Sequence, residues 1–165
     1  MIFRKAIPED IPEIWEILRQ AIRRRKKDGS KQWQDGYPNL ETVETDIKNG
    51  VGYVLADSEK IIGYSAVIFN DEPAYENING KWLSDGDFVV VHRVAISDEH
   101  SGKGLAQKMF DFIEKIALGN NIHSIKADTN FDNIPMLKTL EKSGYQYCGE
   151  VFLRGNPRKA FEKII

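Results

Sequence analysis

The sequence predicts one α/β domain, a mixed sheet of about seven strands flanked by four helices. Three observations predict it. Runs of strand period alternate with runs of helical period along the chain. A valine-rich strand, Phe88–Ile96, leads through a glycine loop into a wide apolar helical stripe. No repeat, low-complexity tract or linker interrupts residues 1–165, a length that fits a single domain.

The elements follow in order. Ile2–Ala6 reads as a short strand. Asp10 can then cap a helix, with Pro12 in the first turn and Glu13 three residues after the cap. Ile11, Ile14, Trp15, Leu18 and Ile22 give that helix its apolar face, and Gly29 stops it. Asn39 caps a second helix carrying Leu40, Val43 and Ile47, closed by Gly50. Val51–Ala56 and Ile61–Phe69 are strands joined at Asp57–Lys60, and Asp71–Gly86 is a loop. After Phe88–Ile96, a third helix places Leu105, Met109, Phe112, Ile113 and Ile116 on one stripe and ends at Gly119. Ser124–Thr129 is a strand, Ile134–Lys142 a helix ending at Gly144. Tyr147–Leu153 and Lys159–Ile164 make a hairpin around Gly155-Asn156-Pro157.

Composition narrows the class. Hydrophobic residues make up 41% and charged residues 29%, an ordinary globular balance. A net charge of −2 supplies no global attraction to nucleic acid. No apolar run reaches membrane-spanning length, and MIFRKAIPED lacks the apolar core of a signal peptide. Cys148 is the single cysteine, and no metal-ligand spacing is present. The expectation is a cytoplasmic protein without a metal, nucleic-acid or membrane partner. The basic run Arg23–Lys27 reads as the solvated end of the first helix, where cations complement the dipole.

The loop after Phe88–Ile96 is the informative stretch. A strand, a glycine loop and a helix start build an anion site, because the first-turn N–H groups have no internal partner and the dipole is positive there. Gly102 and Gly104 let a diphosphate approach the backbone, and Lys103 adds charge. The P-loop pattern G-x-x-x-x-G-K-[ST] is absent. The dinucleotide pattern fails at Gln107, although Asp128 ends the next strand where a ribose-binding acid would sit.

Ser101-Gly102-Lys103-Gly104-Leu105-Ala106 resembles the acyl-CoA signature of the GNAT superfamily of N-acetyltransferases, [QR]-x-x-G-x-[GA]. Asp128-Thr129-Asn130 and Asn133-Ile134-Pro135-Met136-Leu137, leading to Gly144-Tyr145, are similar to the second signature. The opening FRKAIPEDIPEI and the element order match as well, so the resemblance covers Ile2–Ile165.

The resemblance implies a GNAT-like fold with its fourth and fifth strands, Phe88–Ile96 and Ser124–Thr129, splayed to admit a pantetheine arm. It implies acetyl-CoA as acyl donor, a primary amine (a small molecule) as acceptor, and transfer by direct attack. The cofactor contacts it implies are Ser101, Gly102, Lys103, Gly104, Leu105 and Ala106 at the diphosphate. Val94, Ala95 and Ile96 follow along the strand, with Asn130, Asn133 and Met136 beyond. Ser101 stands where the family has Arg or Gln. Leu140 stands where many members carry an acidic tyrosine, leaving Tyr145, water or solvent to protonate the thiolate. His92 is the candidate base, as in some aralkylamine-acetylating relatives, and a structural histidine is the competing account. Strand alternation puts His92 on the face of Val90, Val94 and Ile96 and Arg93 on the other, where it binds or pairs with an acid. Trp33, Tyr37 and Trp82, with Arg93, are expected in the acceptor pocket, and Tyr75 is a further loop aromatic. Relatives often form homodimers. Two other readings stand beside transfer: a non-catalytic acyl-CoA-binding module and a dinucleotide-binding protein.

Overall fold

The computed structural model describes all 165 residues. Its elements are β1 (Ile2–Lys5), α1 (Ile11–Lys27), α2 (Leu40–Lys48), β2 (Gly52–Asp57), β3 (Lys60–Phe69), β4 (Asn79–Gly80), β5 (Val89–Ile96), α3 (Leu105–Gly119), β6 (Ser124–Thr129), α4 (Ile134–Lys142), β7 (Gln146–Leu153) and β8 (Asn156–Ile164). Four helices flank one sheet ordered β1-β2-β3-β5-β6-β8-β7-β4. The eighth strand is β4, two residues within the expected loop 71–86, paired with Glu150 and Gly149 of β7. The family's fourth and fifth strands are therefore β5 and β6 here. No helix is long and apolar enough to cross a membrane.

Neighbouring strands are antiparallel except β5 and β6, which run parallel with α3 as the crossover between them. One core packs Met109, Phe110 and Ile113 of α3 and Leu140 of α4 on Leu55, Ile62, Val91, Val94 and Ile125. The opposite face buries Ile14, Leu18 and Val43 of α1 and α2 on Val54, Tyr64 and Ala95. The two faces follow the period-two alternation of the strands between the bulges of the β2–β3 and β3–β5 ladders.

The expected caps divide. Asn39 Oδ1 accepts from Thr42 N–H at 3.0 Å and caps α2. Asp10 makes no side-chain cap on α1. Its carboxylate holds Arg4 through two bonds of 2.7 and 3.0 Å and takes Ile7 N–H at 2.9 Å, while Glu13 reaches across to Ile61 N–H at 3.1 Å. A charged partner from β1 outcompetes the local cap.

Two irregularities of β5 create the site. Its ladder with β6 holds at Val89–Ile125, Val90–Lys126 and Val91–Ala127 and then stops, so the strands part as the fold class requires. Its ladder with β3 carries a bulge: Tyr64 faces Ala95 and Ala66 faces His92, two steps on β3 against three on β5. Arg93 takes up the extra residue at φ 57°. The bulge resets the alternation and corrects the sequence expectation. Val94 and Ile96 join Val89 and Val91 under α3, while Val90 packs in a separate cluster with Tyr75 on the other side. His92 and Arg93 both leave on the side away from α3, toward Glu72 and Asp46.

Candidate active site

The start of α3 is built to receive an anion. Gly102 and Gly104 sit at φ 77° and 73°, left-handed conformations that glycine adopts freely. A Cβ at either would meet no atom within 4 Å, so the turn itself, not crowding, calls for glycine. The first intrahelical bond runs from Lys108 N–H to Gly104 O at 3.1 Å. The N–H groups from Gly102 to Gln107 find no acceptor in the chain and converge at the positive end of the helix.

This loop walls a groove of about 1150 Å³, open to solvent, whose other walls are β5, α4 and the end of α1. Val94, Ala95, Ile96, Ser101, Gly102, Gly104, Leu105, Ala106 and Met136 line it, and so does His100. Lys103 is exposed and lies outside the lining. Asn130 is also outside, its side chain donating to Asp132 at 3.3 Å. Asn133 is buried and its amide is already engaged. Oδ1 accepts from Met136 N–H at 3.3 Å as the cap of α4, and Nδ2 donates to Gln32 Oε1 at 2.8 Å and Thr129 Oγ1 at 3.1 Å. The basic run is not wholly solvated. Arg24 donates to Ile96 O at 2.6 Å and pairs with Asp98, while Arg25 lies 5.0 Å over the Trp33 ring. Burial and Arg24 pull the Arg25 guanidinium down to about 10.

A second, narrow cleft, open to solvent, occupies the gap between the parted strands. It passes through the sheet: Phe110 and Leu140 wall it from one side, Tyr37 and His92 from the other. Arg25, Val94 and Met136 line both spaces, so the groove and the cleft meet.

His92 stands in this cleft between two carboxylates. Nε2 lies 2.6 Å from Glu72 Oε2, and Nδ1 lies 3.6 Å from Asp128 Oδ2. All three side chains are at most 16% exposed, so these contacts are weakly screened. Glu72 is itself held by Ala74 N–H at 3.2 Å, and Asp128 Oδ2 accepts the Tyr75 hydroxyl at 2.6 Å. Burial raises the Glu72 carboxyl, but the bond and charge of His92, the Ala74 N–H and the Arg93 charge together outweigh it and hold the group below its usual range. Burial and the Asp128 charge push the Tyr75 phenol well above its range, so it remains a donor. A carboxylate at Glu72 accepts from a protonated Nε2, which in the neutral ring leaves Nδ1 as the free nitrogen facing Asp128.

Arg93 pairs with an acid. Nε and Nη2 donate to the two oxygens of Asp46 at 2.8 and 2.6 Å, Nη1 donates to Tyr37 Oη at 2.5 Å, and Tyr64 donates to Asp46 at 2.6 Å. Trp33 and Tyr37 line the cleft as expected. Trp82 does not: its indole donates to Tyr75 O at 2.9 Å and its ring packs on Tyr75 at 4.9 Å. Tyr145 lies outside both linings, buried against Phe110 at 5.2 Å with no partner for its hydroxyl, while Leu140 faces the cleft. Sequence reasoning missed Glu72, Asp46 and Arg158. The first two sit in a loop and a helix with no local mark. Arg158 carried a signal, since alternation with Ala160 and buried Glu162 turns it inward.

The glycine turn gives a first prediction. Gly104→Ala forces a Cβ into a left-handed position, a cost of about 1–2 kcal/mol that distorts the free amides. We expect KM for acetyl-CoA to rise roughly tenfold, which is that same energy expressed as affinity. Gly119→Ala, where φ is not positive and space is open, should leave KM unchanged. Steady-state kinetics over acetyl-CoA concentration would read this, and equal KM values for both variants would refute it.

The chain was compared with known proteins. A family model described as the acetyltransferase (GNAT) family matches residues 12–145. The crystal structure of a GNAT-family acetyltransferase from Streptococcus agalactiae 2603 is 39% identical, covers 99% of this chain and 95% of that chain, and superposes with a TM-score of 0.90. Streptothricin acetyltransferase from Escherichia coli is 27% identical over 86 residues, 52% of this chain and 48% of that protein. The match therefore spans about half the length of this curated relative. The yncA protein from Salmonella typhimurium, solved with its cofactor acetyl-CoA, shares the fold at 17% identity, covering 99% of this chain and 93% of that chain with a TM-score of 0.68.

Proposed function

Because the chain belongs to the GNAT acetyltransferase family, we propose that it moves an acetyl group from acetyl-CoA to the primary amine of a small molecule by direct attack. The observation that carries this reading is the ladder between β5 and β6 ending at Val91–Ala127, beside six unpaired amides from Gly102 to Gln107. The amides hold the cofactor's diphosphate, and the gap takes its pantetheine arm. The thioester carbonyl then lies along the unladdered edge of β5, where an N–H between Val94 and Ile96 stabilises the oxyanion.

An alkylamine arrives protonated, with a pKa of about 10.4. His92 Nδ1 accepts that proton. Glu72 and Asp128 flank the ring. The free amine attacks the thioester carbon, the C–S bond breaks, the acetyl group stays on nitrogen, CoA leaves as thiolate, and the acylated nitrogen gives up its second proton to solvent. A thiol pKa of about 8.5 lets solvent supply the final proton, so neither Tyr145 nor a donor at Leu140 is needed. Glu72 is a positioning residue for His92.

The test is thiol release from acetyl-CoA with a panel of primary amines. Release that depends on an amine supports transfer. Acetyl-CoA binding with no release on any amine supports the non-catalytic module instead, a reading that Leu140 in the cleft favours. Thermal stabilisation by acetyl-CoA but not by NAD would set aside the dinucleotide reading.

A further inference from the structure

Arg158 is 5% exposed, lies in the wall of the second cleft, and makes no hydrogen bond or ion pair; its Nε is buried without a partner. Such a group costs stability, so its retention calls for a reason. Asp128 and Asp35 attract it from beyond ion-pair distance, and neither bonds to it. Arg93 is neutralised by Asp46, and Asp128 is taken by the Tyr75 hydroxyl and faces His92. Arg154, at the rim, lies 3.5 Å from the Tyr37 ring and has no carboxylate partner either. At this end of the cleft, Arg158 and Arg154 stand together with no carboxylate bonded to either.

Placement says where the missing anion belongs. Ala160 is the register partner of Asp128, and Arg158 lies two residues further along β8 on the same face. Two residues of strand are about 7 Å, a span one small molecule covers with the help of a long side chain. We propose that the acceptor carries an oxyanion close to its amine, a carboxylate or a phosphate, which Arg158 binds while the amine meets His92, and that polycationic amines are poor acceptors. This rests on the acetyl-transfer reading and names the substrate class within it. Burial holds the Arg158 guanidinium below its usual range, which a bound oxyanion would reverse.

The experiment uses matched pairs of acceptors. Glycine is set against methylamine, methionine against 3-(methylthio)propylamine, phenylalanine against 2-phenylethylamine, 2-aminoethyl phosphate against ethanolamine, and kanamycin is the polycation. We expect at least one anionic member to exceed its neutral twin roughly thirtyfold or more in kcat/KM. Whether the carboxylate or the phosphate pair shows this identifies the oxyanion. In Arg158→Gln that ratio should fall to about one, and in Arg158→Lys it should be partly kept. Without ligand, Arg158→Gln should melt no lower than the parent, since an unpartnered buried cation has been removed. A better neutral twin, a better kanamycin, or a ratio that survives in Arg158→Gln overturns the proposal.

If no amine releases thiol, acetyl transfer fails and the oxyanion site is judged by binding alone. Calorimetric titration of N-acetylphenylalanine and 2-phosphoethyl-acetamide against their uncharged counterparts then decides. A preference for the charged ligand that Arg158→Gln abolishes sustains the site, and equal or absent binding ends it.

Discussion

His92→Gln is expected to lower kcat by about 10²–10⁴-fold while acetyl-CoA binds with unchanged affinity, the range for losing a positioned base. Glutamine keeps a polar group of similar reach near Glu72 but cannot take a proton. The cofactor groove is lined by the α3 loop and β5 from Val94 onward, not by His92, so the two effects should separate. Glu72→Gln should lower kcat less. It leaves the imidazole in place but removes the charge that selects the tautomer with a free Nδ1. A histidine held only for packing would instead lower melting temperature and leave turnover intact. Stopped assays between about pH 6 and 9, with a separate acetyl-CoA titration, distinguish these outcomes; equal turnover of parent and variant throughout that range removes His92 as the base.

Asp46→Ala should destabilise the fold by about 3–5 kcal/mol, the cost of leaving a buried cation without its partner. Asp46 and Arg93 are 7% and 10% exposed. The carboxylate takes two bonds from Arg93 and one from Tyr64, and nothing on that face replaces it. Desolvation lowers the guanidinium, but Tyr37, Asp46 and Tyr64 together outweigh it and hold the group above its usual range. For a chain of this size the loss corresponds to about 10 °C in Tm. The double variant Asp46→Leu with Arg93→Met should be less damaging than Asp46→Ala alone, because it removes both charges together. Urea unfolding measures all three, and a loss below about 1 kcal/mol in Asp46→Ala would show that water already solvates Arg93. Since Arg93 carries the bulge, the variant should also disturb His92 beside it.

The row of free amides was legible because it is local. Six consecutive residues, Gly102 to Gln107, make it from their own backbone and their own helix start, whatever the rest of the chain does. The element order was legible for the same reason, except β4, whose two residues have a strand's geometry only because β7 lies beside them. Asp10 shows the limit on a small scale: its cap pattern was correct in form, and Arg4 drew the carboxylate elsewhere.

The sequence by itself determined that this chain builds strands and helices in the order of an acetyltransferase and leaves a row of amides free at the start of α3. Tertiary structure alone decided what lines the cleft beyond those amides. His92 stays on the side of Val90, where packing brings it Glu72 and Asp128, while the bulge sends Arg93 to that same side, toward Asp46, and carries Val94 and Ile96 under α3, against simple alternation. The parting of β5 from β6 brought Arg158, sixty-odd residues away in the chain, into the same cleft. Period and propensity report a residue's near neighbours, whereas ion pairs and strand register depend on partners that only packing brings together.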